Sequence, residues 1–135
     1  MSRRVFVPVL LAALCVLAYW RALSLPLISD DYLQIALARE FGPVEGWGKL
    51  AADALYRCRA TSLVLSWWVD QLFGVNALAH NVIGLLLHIV CTLVILAYGA
   101  WRFVGWRAAA AAAAFFAVYE GHQEAVIWNA ASPEL

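Results

Sequence analysis

Apolar residues along this chain are gathered into long runs separated by one extended polar stretch. The first run is Val5 to Leu25, preceded by Arg3 and Arg4 and broken only by Arg21. A helix needs about 20 residues to cross the hydrocarbon of a bilayer. This run suffices once Arg21 snorkels to an interface. A second run covers about residues 79–101 and is closed by Arg102. A third, about 107–119, opens with Arg107 and seven alanines and ends Phe115-Phe116-Ala117-Val118-Tyr119. Alanine favours helix but is only weakly hydrophobic, so this last run also reads as a buried bundle helix. The pattern predicts an all-α membrane protein of about three transmembrane helices.

The stretch between the first two runs, about residues 28–77, reads as a long loop with amphipathic helices. Leu63-Val64-Leu65 and Trp67-Trp68-Val69 are interrupted by Ser66 and Asp70, and are too short to span. Helices lying in the membrane interface would set Trp47, Trp67 and Trp68 at the headgroup level. With three crossings, Arg3, Arg4, Arg102 and Arg107 fall on one side. The positive-inside rule then puts the N-terminus in the cytoplasm, and the loop and residues 120–135 on the exoplasmic face. Residues 29–76 carry six acids against four bases, in keeping with that side. A cleaved signal peptide is the rival reading of the first run. Its cleavage zone, Leu17-Ala18-Tyr19-Trp20, lacks the small-x-small pattern, so an uncleaved anchor is expected.

Composition sharpens the picture. Hydrophobic residues make up 65% of the 135, and charged residues 13%. A soluble domain carries about a quarter of its residues as charged side chains. Lipid is therefore the expected solvent for much of the surface. The net charge of zero points to no nucleic-acid partner. Cys15, Cys58 and Cys91 have no metal-ligand spacing, and Cys15 and Cys91 lie inside apolar runs, where they read as small core or lipid-facing residues.

Candidate chemistry clusters outside the runs. Asp30 and Asp31 follow the first run directly, within Ile28-Ser29-Asp30-Asp31-Tyr32. Ser29 or Asp30 could cap a helix over Tyr32 to Phe41, the next acid favouring its dipole. Equally, one carboxylate at a membrane surface could serve as a general base while the other caps. Arg57 and Arg59 offer guanidinium groups for phosphate oxygens or for lipid headgroups. His80 and His88 stand eight residues apart, two helical turns, on one face. A hydrogen bond to a neighbouring helix is the expected role of His88. In Glu120-Gly121-His122-Gln123-Glu124, two acids flank an imidazole without a zinc-site spacing, which reads as a polar loop or a proton relay.

The order of these pieces resembles the GT-C superfamily of membrane glycosyltransferases, which includes protein O-mannosyltransferases and the aminoarabinose transferase of lipid A. It is most similar to the O-mannosyltransferases that carry tetratricopeptide repeats and to their bacterial relatives. Three stretches carry the likeness: Asp30-Asp31; Tyr56 to Ser62 through Asp70-Gln71-Leu72-Phe73-Gly74-Val75-Asn76 to His80-Asn81 and His88; and His122-Gln123-Glu124-Ala125-Val126-x-Trp128. Ala60 stands where the family usually has proline, and Tyr119-Glu120 replaces a common His-Pro. Family members continue through many more spans, so residues 1–135 read as the incomplete N-terminal part of such a domain. The resemblance implies transfer of a sugar from a polyprenyl-phosphate carrier, the donor substrate, to a protein or glycan acceptor, with no separate cofactor and no metal site assigned; it leans against an obligatory metal and leaves metal dependence open. It implies Asp30 or Asp31 as catalytic base, and Arg57, Arg59, His122 and Glu124 as substrate-binding residues. The bilayer implied is a bacterial inner membrane. A small non-catalytic membrane subunit or scaffold is the competing reading. A transporter fragment fits less well, because every Asp and Glu lies outside the runs.

Overall fold

The computed structural model describes residues 3–42, 48, 52, 59–101, 105–122 and 126 of the chain. Among these residues the fold is all-helical, with no strand. Five α-helices are bounded among the described residues: α1 (Arg3–Tyr19), α2 (Ser29–Phe41), α3 (Ala60–Phe73), α4 (Ala77–Trp101) and α5 (Trp106–Val118). Short 3-10 turns, Trp20–Ser24 and Glu120–His122, follow α1 and α5. Two helical segments are long and apolar enough to cross a membrane, Val5–Ser24 and Ala77–Gly99. They coincide with the first two apolar runs. The third run folds as α5, thirteen residues or roughly 20 Å at about 1.5 Å per residue. That is short of the roughly 30 Å of a hydrocarbon core. Three of its alanines, Ala109, Ala113 and Ala117, are buried in packing.

α1, α4 and α5 form an up-down-up bundle with two apolar clusters stacked along it. Toward one end Leu11, Leu96, Ala109 and Ala113 are buried together, with Val7 and Trp106 packed against them. Toward the other, Cys15, Tyr19, Ala22, Leu85, Ala117 and Val126 close the core. Residue numbers rise along α1 and α5 and fall along α4 between the two clusters, which fixes the sense of each helix. Ala109, Ala113 and Ala117 recur every fourth residue and lie buried on one face of α5. The small side chains let α4 approach closely, as in membrane helix pairs. A Cβ added to Gly99 of α4 would stand 2.9 Å from Cβ of Ala109, and one on Gly84 would stand 2.7 Å from the carbonyl oxygen of Val126.

α2 and α3 pack on each other beside one end of this bundle. Ala38 and Leu63 are buried between them, flanked by Leu37, Phe41, Ala60 and Trp67. Each helix stops at a glycine in the left-handed region, Gly42 (φ +63°) and Gly74 (φ +66°). Such a residue ends a helix without the clash that a side chain would bring. After Gly74 the chain turns within three residues into α4.

Candidate functional site

One end of the bundle gathers the exit of α1, the start of α4 and the exit of α5. Three hydrogen bonds fasten it. The Tyr19 hydroxyl donates to the carbonyl of Tyr119 at 3.0 Å. Asn81 spends both amide hydrogens on the chain leaving α1, donating to Ala22 O and Leu25 O at 2.9 Å each. Polar groups buried in an apolar setting must be paired in this way. Beneath them His88 is fully buried, with Nε2 3.2 Å from Ala117 O. A carbonyl only accepts, so Nε2 carries the proton. The imidazole stacks on Phe116 and meets Tyr19 edge-on. This is the interhelical bond expected of His88. The Thr92 hydroxyl donates to His88 O at 2.8 Å and lies 3.5 Å from the Cys15 sulfur. Cys15 is buried and Cys91 half-buried.

Asp30 and Asp31 stand at this end, in the first turn of α2. The helix starts at Ser29, so its N-cap is Ile28 rather than Ser29 or Asp30. The cap is supplied by Asp31. Its Oδ2 accepts from the Ile28 N–H at 2.9 Å, while its own N–H donates to Ile28 O at 2.7 Å. An acid at the third helical position reaching back to the N-cap N–H is one half of a capping box. Asp31 is buried and Asp30 is exposed, so the pair divides into one structural and one accessible carboxylate.

The buried stripe of α2 is Asp31, Gln34, Ile35 and Ala38, the spacing of a single helix face. Gln34 Nε2 donates to Ser62 Oγ at 3.2 Å, and Ser62 Oγ donates to Arg59 O at 2.9 Å. Arg59, whose side chain is exposed, thus sits at the end of α3 that is hydrogen-bonded to the first half of α2. Farther along, Arg39 forks onto Asp70, Nε to Oδ2 at 2.8 Å and Nη2 to Oδ1 at 2.6 Å. The hydrogen bonds from Arg39 hold the Asp70 carboxyl below the usual carboxylate range; burial opposes this, and the charges of Arg39 and His80 add to it. His80 and Asn81, both buried, bring the first turns of α4 to the same place.

Of the residues proposed for chemistry, Asp30 and Asp31 are neighbours in the first turn of α2, and Arg59 stands just before α3, its carbonyl linked to α2 through Ser62 and Gln34. The bundle carries the turn Glu120–His122 to the same end as α2, just beyond the Tyr19–Tyr119 bond. Arg57 and Glu124 lie outside the described residues, as does the side chain of His122. The links Gln34–Ser62 and Arg39–Asp70 were not singled out from the sequence. The spacing Asp31-Gln34-Ile35-Ala38 could have signalled them, because it gives α2 a face that is half polar and still needs a partner. Among the described residues no group of three or more His, Cys, Asp or Glu side chains could hold a metal ion. No family model matches the chain, and neither a curated protein nor a solved structure matches it.

Proposed function

We propose that this chain is the N-terminal portion of a membrane glycosyltransferase that moves a sugar from a polyprenyl-phosphate carrier to a hydroxyl of a protein or glycan acceptor. The reaction takes place at the exoplasmic face of a bacterial inner membrane, with the N-terminus in the cytoplasm. The observation that carries this reading is the division of labour between the two aspartates. Asp31 is spent on capping, and its neighbour Asp30 is left exposed directly after a helix of membrane-spanning length. A carboxylate held on a rigid helical turn is what a general base requires.

In the proposed step Asp30 accepts the proton of the acceptor hydroxyl as its oxygen attacks the anomeric carbon. The bond from that carbon to the phosphate oxygen breaks, and the lipid phosphate departs with the electron pair. Arg59, together with Arg57, offsets the negative charge that develops on the phosphate. His122 and Glu124 orient the acceptor. The remaining spans of such an enzyme would complete the cavity.

The test is transfer from a radiolabelled polyprenyl-phosphate sugar in membranes that carry the protein as encoded by its complete reading frame. Asp30→Asn is expected to lower transfer by about 10²–10⁴-fold, at unchanged protein level and with unchanged carrier binding. Wild-type transfer by Asp30→Asn would rule out this assignment.

A further inference from the structure

α3 buries three polar side chains while it exposes large apolar ones. The side chains that it turns toward the protein are Ser62, Leu63, Ser66, Val69 and Asp70, all buried. On the opposite side stand Val64, Leu65, Trp68 and Leu72, with Trp68 and Leu72 more than half exposed, interspersed with the exposed Thr61 and Gln71. A helix lying on a water-soluble protein shows the reverse arrangement, because burying polar groups and exposing apolar ones both cost free energy. α2 also buries polar side chains, Asp31 and Gln34, and exposes Tyr32 and Leu33, but its outward residues include the charged Asp30 and Glu40 as well.

Two further features say what covers this face. The first is a groove of about 380 Å³ along it, lined by Ala60, Val64, Leu65 and Trp68 together with Thr61. The second is continuity. Leu72, Phe73 and Val75 are exposed and lead into Leu78, Val82, Leu86, Val90 and Val94 of α4, also exposed and spaced every fourth residue. That stripe is the outward face of a helix long and apolar enough to cross a membrane. The exposed apolar residues at the end of α3 lead in sequence directly into that stripe. Soluble monomers rarely expose large contiguous apolar surfaces.

We propose that the outer face of α3 is a lipid-binding surface whose groove takes the acyl chains of bilayer phospholipids. α3 lies in the membrane with its polar face sealed against α2, and α2 is the water-facing member of the pair. The proposal rests on α4 lying in a bilayer and not on the transferase reading.

The experiment uses the whole chain in phosphatidylcholine vesicles doped with a phosphatidylcholine that bears a photoactivatable diazirine on its acyl chain. After irradiation, adducts are mapped by mass spectrometry. The expected adducts fall on Val64, Leu65, Trp68 and Leu72, at a yield comparable with Leu86 and Val90 of α4. Ser62 and Ser66 stay unlabelled, as do Asp30 and Glu40 of α2. Leu65→Glu combined with Leu72→Glu, which leaves the buried seam untouched, is expected to abolish labelling of α3 while α4 stays labelled. Labelling of α4 without α3 would overturn the proposal and mean that water or another protein segment covers the groove. Labelling of neither would overturn it together with the membrane reading of α4.

Discussion

Arg39 on α2 and Asp70 on α3 form a two-pronged ion pair between helices whose partners are 31 residues apart in sequence. The fork matches both guanidinium nitrogens to both carboxylate oxygens, a geometry that lysine cannot reproduce. Asp70 is almost wholly buried while Arg39 remains half-exposed. Loss of the arginine therefore strands a buried carboxylate, which is worse than loss of both partners. Thermal unfolding in detergent should rank Arg39→Ala as the least stable, Arg39→Lys as intermediate, and Arg39→Ala with Asp70→Asn above Arg39→Ala alone. Equal stability of Arg39→Ala and wild type would dismiss the pair as a structural element.

The same pair sets an acid dependence. The folded-state pKa of Asp70 is lowered, chiefly by hydrogen bonds from Arg39. A depressed carboxylate contributes stability that is fully present above its unfolded pKa, about 3.9, and lost as pH falls through the lower folded value. Unfolding temperature should therefore drop as pH is taken below about 4. In Asp70→Asn that component of the drop should be missing. An unchanged acid profile in Asp70→Asn would show that other carboxylates dominate.

Neighbouring aspartates should behave differently. Asp31→Ala removes the acceptor for the Ile28 N–H and is expected to destabilise by about 1 kcal/mol, the usual cost of a lost helix cap. Asp30→Ala, at an exposed position, should stay within about 0.5 kcal/mol of wild type. Chemical unfolding followed by circular dichroism separates the two. Equal losses would contradict the division of roles.

The seam of α4 and α5 depends on Gly99. Gly99→Ala places a methyl group 2.9 Å from Cβ of Ala109, an overpacking expected to cost about 1–3 kcal/mol. Adding Ala109→Gly vacates that space, so the double variant should recover part of the loss. Additive losses in the double variant would mean that the two positions do not touch.

His88→Ala should be the most damaging of the bundle substitutions. It deletes a fully buried ring, its contact with Ala117 O and its stacking on Phe116. A cavity and a lost interhelical hydrogen bond together suggest roughly 2 kcal/mol or more, readable as a lower unfolding temperature. His88→Gln, which retains a donor, should lie between Ala and wild type.

Hydropathy is a local property, and it determined what local properties can. Runs of apolar residues fix that Val5–Ser24 and Ala77–Gly99 are helices long enough to cross a bilayer, whatever they pack against. The eight-residue spacing of His80 and His88 likewise fixed a shared helix face. The alanine run fixed helix but not span, since weak hydrophobicity leaves the role of α5 to its neighbours. Only the tertiary structure decided that Ala109, Ala113 and Ala117 form a seam with α4, because Gly99 permits the approach. Only it decided which aspartate is buried. Asp30 and Asp31 differ by about 100° around α2, and only the packing of the folded chain buries one and leaves the other exposed. The pairing of Arg39 with Asp70 was equally out of reach, because a long side chain selects among charges far along the chain by three-dimensional distance. The two faces of α3 could be drawn from its sequence as well, but not which of them turns inward. That orientation is set by Gln34 and Arg39 of α2, whose hydrogen bonds to Ser62 and Asp70 hold the polar face inside and leave the apolar face to the outer solvent.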